Sequence, residues 1–217
     1  TAKLARDVMR EVGVRAAPPV AEFPLGTDPV QFAPGHASAA ARERLALGDD
    51  PYLLTVARLV PHKGQDVALR ALAALAPEFP TLHYVIVGEG PDEPRLRALA
   101  AALGVSARVV FAGPLRDDLL PGIHAGASVY VGLSRFLPPI NVEGFGISFV
   151  EAAASGVPSV AGDSGGVRSA VLDDETGFVV PPEDDAQATG AIRRLLGDDA
   201  LRRRMGAAAR QACLERF

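Results

Sequence analysis

Residues 143–161 read EGFGISFVEAAASGVPSVA, and this pattern predicts a loop, then a helix, then a strand. Gly144 and Gly146 let the backbone approach another group closely, and the helix is expected to begin at about Gly146. Gly156 is expected to end the helix in a left-handed conformation, because Pro158 cannot continue it. An apolar strand follows directly, which is the order of elements in domains that alternate helices and strands.

Two glutamates, Glu143 and Glu151, flank the start of this predicted helix. Glu151 is the only charged residue between Phe145 and Ala161, and this apolar context argues against an ordinary solvated surface charge. If the helix starts near Gly146, both carboxylates could face one crevice at the carboxyl edge of a parallel sheet. Two acids there can bind sets of ligand hydroxyls, and the free amides of the helix start suit ligand oxygens. Solvated surface charge remains the alternative for both.

The composition resembles that of a soluble globular protein, since 48% of the 217 residues are hydrophobic and 22% are charged. The net charge of −4 gives no reason to expect nucleic acid as a partner. The single cysteine, Cys213, excludes an internal disulfide and a cysteine zinc site, and the histidines lack metal-ligand spacing. No signal peptide or spanning helix is expected, because the chain has no charged start before an apolar segment and no long apolar run.

Short apolar segments alternate with amphipathic ones along most of the chain. Strands are predicted at Tyr52–Val56, His83–Val87, Arg108–Ala112, Ser128–Leu133, Pro158–Ala161 and Gly177–Val180. Besides the helix near Gly146, helices are predicted at 1–12, 36–47, 64–75, 92–103, 117–126, 167–172, 184–196 and 199–216, and a short strand at 20–23. Short buried strands between helices predict an α/β fold, a doubly wound, Rossmann-like parallel sheet with helices on both faces.

Two cations follow the first of these strands. In such a fold ligands bind beyond the carboxyl ends of the strands, so residues placed there are candidates for function. Arg58 and Lys63 precede Gly64 at a predicted helix start. A planar guanidinium fork and an ammonium point charge, together with backbone amides, suit a diphosphate. Two solvated surface cations are the alternative.

The loops after the next strands carry weaker signals. Gly88 and Gly90 predict close backbone approach or a positive φ, although a tight turn without a ligand fits equally well. They do not form a dinucleotide fingerprint, because no third glycine follows and Pro91 intervenes. Leu115 and Ser134 occupy the loops after the third and fourth strands.

Together these segments resemble the signature of family-four retaining glycosyltransferases with the GT-B fold. The resemblance rests on the two glutamates seven residues apart before Ala-x-x-Ser-Gly-Val-Pro, on Ala-Arg-Leu-x-x-x-Lys-Gly at 57–64 and on Val-Gly-x-Gly-Pro at 87–91. It runs from about Pro24 to Phe217. Segments 142–146 and 162–166 are similar to the mannosyltransferase branch that modifies phosphatidylinositol mannosides in actinobacteria.

The resemblance implies a role for each matching residue. Arg58 and Lys63 would bind the diphosphate, Glu143 would face the transferred sugar, and these three would form the catalytic set. Glu151 would bind the ribose hydroxyls of the donor. The implied donor-binding set comprises Gly88, Gly90, Leu115, Phe145, Gly146, Ile147 and Glu151, with Leu115 beside the base and the amides near Phe145 and Gly146 receiving sugar hydroxyls.

The resemblance also implies a domain organisation and an activity. Residues 24–217 would form the nucleotide-sugar-binding domain, and residues 1–23 a remnant of a preceding domain that binds the acceptor. The whole enzyme would transfer a hexosyl group, mannose from GDP-mannose, to a lipid or saccharide with retention and without a metal or other cofactor. The chain begins at Thr1, which suggests a fragment, and on its own it is expected to be inactive. A cytoplasmic location is expected, with peripheral attachment to the inner membrane face as an option.

Departures from the family pattern keep alternatives open. Leu25 stands where the family usually has Asn, and Ser169 follows Arg168 where a Pro and then a Glu are common. A nucleotide-sugar epimerase half-domain, a nicotinamide-binding domain and a non-catalytic binding module are the alternatives. An acid–base pair as in glycoside hydrolases is disfavoured, because Glu151 lies within the predicted helix.

Overall fold

Six parallel strands form one sheet. The computed structural model describes residues 25–36, 39–137 and 143–217. Its strands are β1 Tyr52–Val56, β2 His83–Val87, β3 Val109–Gly113, β4 Val129–Gly132, β5 Ser159–Gly162 and β6 Gly177–Val180. They pair in parallel in the order β3-β2-β1-β4-β5-β6. All six strand predictions are confirmed to within one residue at each end, because buried apolar runs bounded by turn residues mark strands clearly.

Helices lie between the strands. Over the described ranges they are α1 Ala39–Leu45, α2 Gln65–Leu75, α3 Glu93–Ala102, α4 Leu120–Gly126, α5 Ile147–Ala154, α6 Val167–Ala170, α7 Asp185–Gly197 and α8 Asp199–Arg216. Three of them are shorter than predicted by two or more residues at one end. Helix α1 ends before Ala46, whose φ is 54°, and α4 begins at Leu120, where Pro121 fits the first turn. Helix α6 ends at Ala170, because Val171 has an extended conformation.

The predicted helix at 1–12, the strand at 20–23 and the domain boundary near residue 24 lie outside the described residues. The proline-rich stretch at 138–142 lies outside them as well.

Both faces of the sheet are covered. Neighbouring β1 residues point to opposite sides, so that Leu53 packs in one hydrophobic cluster while Tyr52 and Leu54 pack in the other. The first cluster includes buried residues of α2, α3 and α7, and the second includes residues of α1, α4 and α5. This arrangement confirms the doubly wound α/β fold. In the described part of the chain, no helix combines the length and apolar character needed to span a bilayer.

The strand order fixes where a ligand site is expected. The first strand in the sequence, β1, lies in the middle of the sheet. Strands β2 and β3 follow on one side of it, and β4 then pairs with its other side. The loops after β1 and β4 therefore diverge and leave a crevice at their carboxyl ends.

Candidate functional site

A cavity of about 240 Å³ lies at the carboxyl ends of β1 and β4. It is enclosed by the loop after β1, the end of β4, the loop before α5 and the first turn of α5. Its lining consists of Thr55, Val56, Ala57, Arg58, His62, Lys63, Tyr130, Gly132, Ser134, Glu143, Gly146, Ile147, Ser148 and Phe149. Six of the residues singled out in the sequence are thus brought together: Arg58, Lys63, Ser134, Glu143, Gly146 and Ile147.

Glu143 is held by two donors within this cavity. Its Oε2 accepts hydrogen bonds from Lys63 Nζ at 2.7 Å and from Ser134 Oγ at 3.0 Å. The side chains of Lys63 and Glu143 are only 18% and 12% exposed, so the ion pair is largely desolvated. Both groups are therefore fixed in place, with the loop after β1 joined to the loop before α5.

Arg58 presents its charge differently. It is exposed, and its guanidinium forms no ion pair or side-chain hydrogen bond in the ranges that the structure describes. Its backbone is fixed nevertheless, because the buried Gln65 donates from Nε2 to the Arg58 carbonyl at 3.0 Å. The loop therefore holds a cation at the cavity edge that is available to an anionic ligand.

His62 lies between these charges and is 8% exposed. Burial lowers the pKa of its imidazole below the ordinary value, and the positive charges of Lys63 and Arg58 lower it further, whereas Glu143 opposes them. The ring is therefore neutral at pH 7 and adds no positive charge to the cavity.

Helix α5 begins at the cavity. Gly146 has a φ of 84°, and a Cβ atom there would lie 2.5 Å from the Phe149 ring, so glycine is required on both counts. The first amides of the helix have no intrahelical acceptor and suit ligand oxygens. Ile147 is 43% exposed beside them, while Ser148 donates from Oγ to the Val56 carbonyl at 3.0 Å.

The turn after β5 supports the glutamate loop from behind. The Gly166 amide donates to the Glu143 carbonyl at 3.0 Å, and a Cβ atom on Gly166 would lie 2.1 Å from the Gly144 carbonyl oxygen. Gly144 itself has open space beside it, since a Cβ atom there would meet nothing within 4 Å. The Gly144 backbone is therefore accessible from the outer side.

Glu151 lies outside the cavity lining. One helical turn beyond Ile147, its Oε2 lies 3.4 Å from Nε2 of His124, a fully buried residue of α4. Tyr130 stands near both glutamates: burial raises the pKa of its hydroxyl, and the charges of Glu143 and Glu151 add to that rise. Of the two carboxylates, Glu143 lines the cavity together with Tyr130, and Glu151 does not.

The other predicted donor-binding residues have packing partners. Cβ atoms on Gly88 and Gly90 would lie 2.1 Å from the Ala57 carbonyl oxygen and 2.2 Å from that of Leu59, so these glycines shape the loop that carries Arg58. Leu115 and Phe145 are partly buried against the second hydrophobic cluster. Phe145 also contacts the Phe217 ring edge-on, with 5.5 Å between ring centroids.

Two features of the site were not predicted. One is the contact of His124 with Glu151. The other is an ion-pair network in which the buried Asp66 contacts Arg135 and Arg70, and Arg70 also binds Asp185 at 2.6 Å. Arg135 in turn donates its amide to the His62 carbonyl at 2.8 Å, so the network ties the loop after β4 to the start of α2. For the ion-pair network, the signal in the sequence was Asp66, a charged residue at the start of a helix with a predominantly apolar face.

No group of three or more His, Cys, Asp or Glu residues that could hold a metal ion occurs in the described ranges.

The chain has clear relatives. The family model for glycosyl transferases group 1 matches residues 38–212. GDP-mannose-dependent alpha-(1-6)-phosphatidylinositol monomannoside mannosyltransferase of Mycolicibacterium smegmatis is 42% identical over 197 residues, which cover 90% of this chain and 52% of that protein. The chain thus spans about half the length of this curated relative.

Solved structures share the fold. Sucrose-phosphate synthase from Thermosynechococcus elongatus aligns with a TM-score of 0.81 and 29% identity, over 98% of this chain and 52% of that one. Anabaena HepE in complex with UDP and glucose aligns with a TM-score of 0.76 and 25% identity, over 88% of this chain and 51% of that one. These matches identify the fold as the Rossmann-like half of a GT-B architecture. The chain belongs to the glycosyl transferases group 1 family.

Proposed function

We propose that this chain is the donor-binding domain of a retaining glycosyltransferase that moves mannose from GDP-mannose to a lipid or saccharide acceptor. The observation that carries the proposal is the convergence of Arg58, Lys63 and Glu143 on one cavity at the start of α5. That cavity lies at the crevice between β1 and β4, where doubly wound sheets bind nucleotides.

The cations are assigned to the diphosphate. Arg58 is a guanidinium at the cavity edge without a side-chain partner among the described residues, and Lys63 is a fixed ammonium group within the cavity. As the glycosidic bond breaks, negative charge grows on the leaving diphosphate, and cations already in place stabilise it without reorganising. This role replaces the charge that a divalent metal would otherwise supply, so metal-independent transfer is part of the proposal.

Glu143 is assigned to the transferred sugar. Its Oε2 is bound by Lys63 and Ser134, while Oε1 forms no hydrogen bond in the described part of the chain. A carboxylate with a free oxygen accepts sugar hydroxyls, and the amides near Phe145 and Gly146 would donate to them. In this proposal Glu143 positions the sugar and the cations drive departure of the nucleotide.

The nucleoside is assigned to Glu151 and Leu115, outside the cavity lining. Glu151 would accept the ribose hydroxyls, and Leu115 would pack against the base. Gly88 and Gly90 would contribute by holding the Arg58 loop. GDP-mannose is proposed because the Mycolicibacterium relative is named as dependent on it, while HepE has been solved with UDP. The affinity for guanosine nucleotides therefore has to be compared with the affinity for uridine nucleotides.

The remaining parts of the activity concern a longer protein. A preceding domain would bind the acceptor and close the cleft, because efficient transfer requires an oriented acceptor and exclusion of water. The chain alone would then bind donor and transfer nothing. The whole enzyme would act in the cytoplasm or at the inner membrane face.

Calorimetric titration of this chain with GDP, UDP, GDP-mannose and UDP-glucose tests the proposal. Arg58→Ala and Glu151→Ala are the informative variants, and Arg204→Ala on the exposed face of α8 is the matched control. We expect the guanosine ligands to bind, with about tenfold or greater weakening in both site variants, since each loses charge-assisted hydrogen bonds. Unchanged affinity in both variants, or no binding by any nucleotide, would contradict the proposal.

A further inference from the structure

We propose that His124 is a positioning residue that orients the Glu151 carboxylate toward the hydroxyl pair of the nucleotide ribose. This role rests on the proposed function. His124 lies on α4 and does not line the cavity. It would act on the ligand only through Glu151.

The geometry places the two side chains in direct contact. His124 is fully buried, Glu151 is 16% exposed, and 3.4 Å separate Nε2 of the ring from Oε2 of the carboxylate. The contact does not meet hydrogen-bond geometry, and Nε2 has no other hydrogen-bond partner in the described part of the chain. A hydrogen bond would form once the N–H of the ring is aligned with the carboxylate oxygen.

Both ring nitrogens of His124 are buried without a hydrogen bond in that same part of the chain. Buried polar groups are nearly always bonded, and an unbonded one carries a desolvation cost. A neutral imidazole has one N–H donor and one acceptor. Among the ion-pair contacts of the described residues, Glu151 is the acceptor that faces this ring. The unsatisfied donor therefore points to the carboxylate as its functional partner.

The ring is held in one orientation. Tyr130 stacks on it with an interplanar angle of 20° and 5.8 Å between centroids. Phe32 meets it edge-on, with 5.5 Å between centroids. The backbone nearby is fixed as well, because the Tyr52 hydroxyl donates to the Ile123 carbonyl at 2.6 Å. A ring clamped in this way is suited to fix a neighbouring carboxylate, as supporting groups do around binding sites.

The Glu151 carboxylate can accept hydrogen bonds from His124 and from a ligand at the same time. An ionised carboxylate accepts about four hydrogen bonds, so one bond from His124 leaves capacity for two ribose hydroxyls. Without the histidine, Glu151 would be free to rotate, and part of the binding energy for the hydroxyls would be lost in ordering it. The positioning role is therefore measured by how much more tightly the chain binds a nucleotide with both ribose hydroxyls than one that lacks them.

The test compares the affinity of this chain for GDP and for 2′,3′-dideoxy-GDP, measured by calorimetry. We expect the wild-type chain to prefer GDP by about tenfold or more, from hydrogen bonds to a charged acceptor. His124→Gln keeps an N–H donor near the position of Nε2, whereas His124→Phe keeps the ring and loses the donor. Positioning predicts that Gln retains most of the preference and that Phe reduces it to about twofold or less.

Packing alone predicts the reverse order, with Phe close to wild type and Gln impaired. That order, or an equal preference in all three proteins, would overturn the positioning role while leaving the nucleotide site intact. If the wild-type chain binds neither nucleotide, the proposed function itself fails and the role fails with it. His124→Asn, whose amide is too short to reach Glu151, serves in place of Phe if that variant unfolds, and it should lose the preference in the same way.

Discussion

The ammonium group of Lys63 lies 2.7 Å from Oε2 of Glu143, although eighty residues separate them in the sequence. The contact joins the loop after β1 to the loop before α5 across the carboxyl edge of the sheet. Because both side chains are largely shielded from water, each depends on the other for its charge to be accommodated.

This pair should show strong energetic coupling. In a double-mutant cycle of Lys63→Ala and Glu143→Gln, we expect a coupling free energy of unfolding of about 1–3 kcal/mol from chemical denaturation. The exposed pair of Arg168 and Asp163, 2.7 Å apart, is the control and should couple by less than about 1 kcal/mol. Additive effects at Lys63 and Glu143 would show that the pair contributes nothing to the loop arrangement.

Gly64 should be far less replaceable than Gly104. Both have a φ of 71°, but a Cβ atom on Gly64 would lie 1.9 Å from the Leu133 carbonyl oxygen, whereas on Gly104 it would meet nothing within 4 Å. Gly104→Ala should cost about 1–2 kcal/mol of unfolding free energy, the penalty of a left-handed alanine. Gly64→Ala should cost at least about 3 kcal/mol, because the backbone clash is added.

Thermal and urea unfolding measure both glycine variants. A matched loss of stability in the two proteins would contradict the close approach of the loops after β1 and β4 at Gly64.

The pKa of His62 should report the charges in the cavity. We expect NMR titration to place it below the ordinary value, with Lys63→Ala moving it upward and Glu143→Gln moving it further downward. Arg204→Ala should leave it unchanged. Movement of the two cavity variants in the same direction would mean that His62 does not sit between these charges.

The lowered pKa of His62 also sets the sign of its contribution to stability. The unfolded chain binds a proton at His62 more readily than the folded chain, so its contribution is present above about pH 6.5 and lost as the pH falls toward the folded value. Wild-type stability should therefore fall more steeply with acidification through this window than that of His62→Gln. Parallel urea-denaturation profiles between pH 5 and pH 7.5 would contradict this.

Asp66 should be essential to the loop after β4. Its carboxylate is 9% exposed and is shared by Arg135 and Arg70. Among the described residues, Asp66→Asn leaves the guanidinium of Arg135 without its ion-pair partner, whereas Arg70 keeps Asp185, and the substitution should cost about 3 kcal/mol of unfolding free energy. Asp118→Asn, which removes an exposed pair with Arg116, should change stability by less than about 0.5 kcal/mol. Similarly small losses of stability in both variants would show that the Asp66 network does not stabilise the loop after β4.

Much of the fold could be predicted from the sequence because the signals are local. Strands buried on both faces give short apolar runs, and Gly156, with a φ of 73°, lies just beyond the end of α5 as expected. The cavity residues Arg58 and Lys63 could be placed at a sheet edge because they follow a strand directly. Helix ends were less accurate, since the conformation of single residues such as Ala46 is not encoded in periodicity.

The contacts that hold the site together could not be predicted in this way. Arg135 reaches Asp66 over 69 residues, and His124 meets Glu151 from a different helix. Neither pair has a spacing that a helix or strand would impose, so only the packing of whole elements brings the partners together. For the same reason, the sequence indicated no role for His124 beyond the lack of metal-ligand spacing.

A crystal structure of this chain with bound GDP tests the central claim most directly. We predict that the diphosphate contacts Arg58, Lys63 and the first amides of α5, with the ribose hydroxyls on Glu151. The Arg58→Ala variant, soaked under the same conditions, should show markedly weaker nucleotide density. A nucleotide bound elsewhere, or in the cavity with its diphosphate away from both cations, would contradict the assignment of this domain as the donor site.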